Sequence, residues 1–177
     1  MPKGRRRIYW DSNCWLSLIN AVPDRILVLN SLLADSKNEL GDIELVTSSV
    51  SIVEVAFAQS EQQSDRIDQT IEDAIDSLWA DRRAFTLIEY HDLIGREART
   101  LIRTGLHQTW NLKPMDAVHL ATAKWFGVDE FHTYDKRLIK EGLSTHLGFP
   151  IKNPIVTGLT LPEQSQLPIG DDSDGER

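Results

Sequence analysis

The sequence predicts an α/β fold, a three-layer α/β/α sandwich around a parallel sheet. Short runs of β-branched and aromatic residues alternate along the chain with longer stretches of helical periodicity, which is the signature of strands joined by crossover helices. The size agrees: 177 residues with 41% hydrophobic content suit one ordinary core.

The elements follow in order. Residues 7–10 read as a short strand, with a helix starting near Ser12. Pro23 opens a second helical stretch in which Ile26, Leu29, Leu32 and Leu33 recur at helical spacing. Residues 44–47 form the second strand, and Ser48 or Ser49 caps the helix after it. A polar region, 59–69, leads into an amphipathic helix carrying Ile67, Ile71, Ala74, Ile75 and Leu78. Residues 85–88 are a third strand and 93–104 another helix. A loop, 105–113, ends at Pro114, which suits the first turn of a helix running to Phe126. Residues 131–133 are the fourth strand, with a short helix after Asp135. This places one domain over residues 1–150, followed by an extension, 151–177, that is acidic and expected to be disordered from Pro162 onward.

Composition narrows the function. No apolar stretch approaches the roughly 20 residues of a membrane span, and the basic start through Arg5, Arg6 and Arg7 lacks an apolar signal core, so a cytoplasmic protein is expected. Cys14 is the only cysteine, which excludes an internal disulfide and a cysteine-based zinc cluster, and it reads as a small buried residue. The formal net charge of -8 argues against a protein that coats nucleic acid non-specifically. Half of that charge lies in the tail, where Glu163, Asp171, Asp172, Asp174 and Glu176 face only Arg177.

Most acids lie on polar helix faces; four do not. Asp11 ends the first strand, Glu54 sits in the apolar run 50–57, Asp116 is in the first turn of an apolar helix, and Asp135 follows the fourth strand. An ionised carboxylate in apolar surroundings costs about several kcal/mol unless paired. Each alone reads equally as a helix cap or the partner of a distant arginine. Together they are harder to dismiss, because a parallel sheet gathers strand ends and helix starts at one edge. Clustered carboxylates need cations among them, and all-oxygen ligands suit Mg²⁺ or Mn²⁺.

The segments around these acids are Ile8-Tyr9-Trp10-Asp11-Ser12-Asn13, Ser48-Ser49-Val50-Ser51-Ile52-Val53-Glu54-Val55, Met115-Asp116-Ala117-Val118-His119-Leu120-Ala121-Thr122-Ala123 and Phe131-His132-Thr133-Tyr134-Asp135. In that order and rough spacing the chain resembles the PIN-domain family, the nuclease fold shared by VapC-type toxins and RNA-processing enzymes. The resemblance implies that Asp11, Glu54, Asp116 and Asp135 bind one or two Mg²⁺ or Mn²⁺ ions, with the hydroxyls of Ser12 and Thr133 in support. It implies a metal-dependent endoribonuclease leaving a 5′-phosphate and a 3′-hydroxyl, its water activated and its leaving oxygen stabilised by the two cations. It further implies a homodimer and, for a toxin of a toxin–antitoxin pair, a small antitoxin over the acidic pocket.

Other residues carry less. Lys136 and Arg137 are candidates for the RNA backbone, though a solvated face reads better. His119, on an apolar helix, reads as a packed core histidine. Trp110 reads as a core anchor rather than a base-stacking platform. The rival function is a non-catalytic module of the same fold that holds RNA or protein; the presence of all four acids argues against it. A dehalogenase-like phosphatase would need Asp-x-Asp where Asp11-Ser12-Asn13 stands, and a receiver domain would need adjacent acids after the first strand.

Overall fold

Residues 4–156 are described by a computed structural model. The central strand, β1 (Arg6–Trp10), is central because its second half has no polar face. Ile8, Tyr9 and Trp10 are all fully buried, Ile8 and Trp10 toward one core cluster and Tyr9 toward the other. It pairs in parallel with β2 (Ile43–Ser48), which pairs with β3 (Thr86–Ile88). On its other side lies β4 (Glu130–His132), followed by β5 (Ile151–Lys152), so the order is β3-β2-β1-β4-β5, all parallel.

One layer packs α1 (Ser12–Ile19), α2 (Ile26–Lys37) and α5 (Gln69–Ala80) against Ile8, Trp10, Ile43 and Leu45. Trp15 anchors this side, with ring centroids 4.8 Å from Trp10, 4.8 Å from Phe85 and 5.5 Å from Trp79. Its indole N–H donates to Thr47 Oγ1 at 3.1 Å, so its one polar atom is satisfied in the core. The opposite layer packs α6 (Asp92–His107), α7 (Pro114–Phe126) and α8 (Glu141–Leu147) against Tyr9, Val46, Phe131 and Ile151. Residues 117–123 of α7 are all buried, which is why that helix shows little amphipathic contrast in sequence. It starts on Pro114 and stops at Gly127, whose φ of 73° is left-handed backbone that favours glycine. The three-layer α/β/α sandwich expected from sequence is the fold of the molecule.

The structure differs from the sequence reading at five places. Pro23 does not open the second helix, since α2 starts three residues later at Ile26. The polar region 59–69 contains a helix, α4 (Gln59–Ser64), held by Glu61 Oε2 accepting from the Ala58 N–H at 2.9 Å rather than by an apolar stripe. The apolar run around Glu54 is not a buried helix: α3 (Val50–Glu54) has five residues, and Val53 is 75% exposed while Ser51 and Val55 face inward. No helix follows Asp135 directly; residues 136–138 turn, with Leu138 N–H on Asp135 O at 3.0 Å, and α8 begins at Glu141. Finally, β5 lies at the start of the stretch read as an extension. The disorder expected from Pro162 onward falls outside the described residues.

Candidate active site

The sheet reverses its order of growth at β1, since the chain passes to β2 on one side and later to β4 on the other. The crevice beyond the carboxyl ends of β1 and β4 is where ligands sit in open α/β sheets. Asp11 lies there, tied to the end of β4 by its N–H on His132 O at 3.3 Å. Its carboxylate caps α1, accepting from Cys14 N–H at 3.2 Å and from Asn13 Nδ2 at 3.4 Å. It is 3% exposed, and burial pushes its pKa up against the opposing pull of the Thr133 hydroxyl, His119, Asn13 and the Cys14 N–H.

Glu54 reaches the site from the end of α3 and is held by two neighbours at one oxygen. Ser12 Oγ donates to Oε2 at 2.6 Å, and His119 Nε2 lies 2.6 Å from the same atom. Ser12 and His119 themselves are 3.1 Å apart. His119 Nδ1 meets the Tyr9 hydroxyl at 2.7 Å. Burial and the charge of Asp11 hold the Tyr9 phenol well above its usual range, so it keeps its proton and donates; Nδ1 then accepts and Nε2–H faces Glu54. Burial pushes the Glu54 carboxyl up, yet the His119 and Ser12 bonds leave it below its ordinary value.

The other two acids share an arginine. Arg137 Nη2 bonds Asp135 Oδ2 and lies 3.5 Å from Asp116 Oδ2, while Arg137 Nε donates to Asp135 Oδ1 at 3.0 Å. Asp116 also accepts from the Lys113 N–H at 3.3 Å, as an acid in the first helical turn does. Thr133, fully buried, accepts the Asp135 N–H at 2.9 Å and bonds Asp11, joining the two strand ends.

Three of the acids are therefore linked, Asp11 to Asp135 through Thr133 and Asp135 to Asp116 through Arg137. Glu54 has its own partners, Ser12 next to Asp11 in the chain and His119 one turn along α7 from Asp116. The local reading holds for Asp11, which is a helix cap; Asp135 caps no helix and instead bonds Arg137, only two residues on. Ser12 and Thr133 are at the site. Lys136 is exposed beside it, and Arg137 touches the acids themselves. His119 is buried as read, but it is Glu54's partner and not mere packing; the signal was its i+3 spacing from Asp116, which puts both on one helix face. Trp110 is a core anchor, 5% exposed and against His146, and Cys14 is buried.

The donor set suits a hard divalent cation in kind, being carboxylates and hydroxyls, and the buried Asp11 charge is met only by hydrogen bonds and a histidine. The side chains of Glu54 and Asp135 face His119 and Arg137, and among the described residues no three acids or histidines are already drawn into one coordination sphere.

Comparison with known proteins gives a family and a fold. The PIN domain family model matches residues 8–141. No curated protein matches the chain. Among solved structures it is similar to VapBC2 from Rickettsia felis bound to a DNA fragment from their promoter, at 14% identity and TM-score 0.59, covering 83% of this chain and 98% of that one. It is similar to FitAcB from Neisseria gonorrhoeae, at 12% identity and TM-score 0.56, covering 83% and 97%. It is also similar to VapC20 from Mycobacterium tuberculosis, a sarcin–ricin loop cleaving toxin, at 18% identity and TM-score 0.53, covering 73% and 90%. With the four acidic segments in order inside the matched region and the same fold around them, the chain belongs to the PIN domain family.

Proposed function

We propose that the protein is a nuclease, an endoribonuclease that uses Asp11, Glu54, Asp116 and Asp135 to hold Mg²⁺ or Mn²⁺ against an RNA phosphate. The observation that carries this reading is Asp11. It is buried at the switch point of the sheet, its pKa is raised, and it is linked through Thr133 and Arg137 to Asp135 and Asp116, with Glu54 held by its chain neighbour Ser12. When bound, divalent cations supply positive charge to the phosphate and a water that ionises near neutrality.

The chain's own residues do the rest. Cys14 N–H, Asn13 and Thr133 fix the Asp11 carboxylate. Ser12 and His119 take up Glu54 Oε2, which leaves Oε1 to serve as a ligand or as the acceptor of a proton from water. Lys136 stands exposed at the rim, where it can meet the RNA backbone.

The partners follow the same reading. A toxin role with a small antitoxin over the pocket is supported by the VapBC2 and VapC20 likenesses. A homodimer is supported by exposed apolar residues on α3, before α6 and in its first turn: Val53 at 75%, Tyr90 at 50% and Leu93 at 57%. Among the described residues no helix is long and apolar enough to cross a membrane, and we place the protein in the cytoplasm.

One observation favours the alternative of a non-catalytic RNA- or protein-holding module: Arg137 already neutralises Asp116 and Asp135. Mn²⁺-dependent cleavage of single-stranded RNA by wild type, Asp11→Asn and Asp116→Asn separates the two. The nuclease reading expects cutting by wild type alone; equal activity in all three, or none in any, overturns it.

A further inference from the structure

Asp116 and Asp135 come from different elements, the start of α7 and the turn after β4, and one guanidinium spans them. Arg137 occupies both oxygens of Asp135 through Nε and Nη2 and reaches Oδ2 of Asp116, while its own N–H donates to Asp135 Oδ1 at 2.9 Å. The acids are the fixed half of this arrangement, with side chains 18% and 14% exposed. Thr133 Oγ1 pins the Asp135 backbone, and buried Leu138 pins the turn. The arginine is the loose half, its side chain 49% exposed.

A divalent cation coordinating these oxygens and a guanidinium bonding them exclude each other, because each needs the same lone pairs. We propose that Arg137 is an exchangeable internal counter-ion: it holds Asp116 and Asp135 together in the metal-free protein and yields them when a divalent cation arrives. Without it, the two carboxylates would repel each other; with it, they stay in place at the cost of weaker metal affinity. Surface exposure is what makes the exchange cheap, since a half-solvated ion pair contributes little and a long side chain swings out freely. Lys113, whose charge also acts on Asp135, remains as partial compensation once the arginine has left.

This inference rests on the metal reading above, and its test separates the two. Chelator-treated wild type, Arg137→Gln, Arg137→Lys and Lys136→Gln are titrated with Mn²⁺, free Mn²⁺ being read by electron paramagnetic resonance, and each metal-free protein is melted. Arg137→Gln is expected to bind Mn²⁺ about tenfold more tightly than wild type, from the loss of two competing ion pairs. Its metal-free melting temperature should fall. Arg137→Lys should lie between, since an ammonium keeps the charge but cannot fork across both carboxylates. Lys136→Gln, which removes an adjacent exposed charge, should change the affinity by less than about twofold. If wild type binds Mn²⁺ and Arg137→Gln binds it no more tightly, or Lys136→Gln gains as much, the counter-ion role is wrong and the metal reading stands. If none of the four binds Mn²⁺, both fall.

Discussion

Replacing Asp11 by Asn separates what the residue does for the fold from what it does for chemistry. Asparagine is as good a helix cap as aspartate, so α1 keeps its Cys14 N–H bond and loses only a charge. That charge is an uncomfortable one. The carboxylate is 3% exposed, and the hydrogen bonds it receives do not repay its burial, since its folded pKa lies above the ordinary 3.8. A carboxyl with a raised folded pKa destabilises the protein at every pH above that value, and the penalty fades as pH falls to the unfolded value. Asp11→Asn should therefore stabilise the metal-free protein at pH 7 by about 1 kcal/mol, the usual scale for relieving a strained functional group. That raises the melting temperature by about 2–4 °C for a chain of this length. The advantage should vanish below about pH 4, where both proteins carry a neutral side chain. Millimolar Mn²⁺ should reverse it at pH 7, because only wild type gains by binding. Cleavage should be lost. Calorimetric melts in chelator and in Mn²⁺ across this pH range test all of it. A variant less stable than wild type in chelator at pH 7 would show that the Asp11 charge is structural, and the argument from its burial would fail.

Two further expectations concern His119, beside Glu54, and Glu130, outside the site. His119→Gln should lower kcat by about 10–100-fold with a small change in KM, because the histidine orients Glu54 rather than meeting substrate, and Tyr9→Phe should show a weaker form of the same split. An effect confined to KM, or a loss matched by unfolding, would count against that role. Glu130→Gln should cost up to about 3 kcal/mol at pH 7, converting the fall in its pKa from 4.5 to about 2; part is screened by solvent at Arg6 and Lys152. Because that pKa is depressed, the contribution is full above the ordinary value and is lost as pH falls from about 4.5 toward 2. Urea melts showing a constant gap down to pH 3 would refute it.

The sheet and its edge were legible because they rest on local pattern. A strand with no polar residue from Ile8 to Trp10 is central, and an acid placed straight after it must stand at the sheet's carboxyl edge. Asp116 behind Pro114 was legible for the same reason. Glu54 was found through a premise the structure corrects. An apolar run implies burial only if the helix continues, and α3 ends at Glu54 with Val53 in solvent. Features built on few residues or on side-chain geometry were out of reach. Two residues of β5 carry no period, and α4 is held by Glu61 rather than by an apolar stripe. No spacing rule says that Arg137 would span Asp135 and Asp116 instead of pointing to solvent. The His119–Glu54 pair joins residues on different elements, α3 and α7.

The molecule contains two ways of treating an inward-facing acid, and the contrast says which are structural. Glu130 is only 11% exposed and is locked: His132 donates to it at 2.9 Å, and Lys152 and Arg6 lie at 3.0 and 3.3 Å, so its carboxyl falls to about 2. Nothing could take that carboxylate without breaking two ion pairs and a buried hydrogen bond. The four acids at the switch point are treated differently. Asp11 has hydrogen-bond donors and a histidine but no arginine among the groups that lower its pKa, and Glu54 has a serine and a histidine at one oxygen with the other left over. Asp116 and Asp135 share one arginine that is half in water. Charges meant only to hold a fold are paired as Glu130 is. Charges left this loosely compensated, on four separate segments converging at one edge, are what the proposed cation site requires, a place for a positive partner that comes and goes.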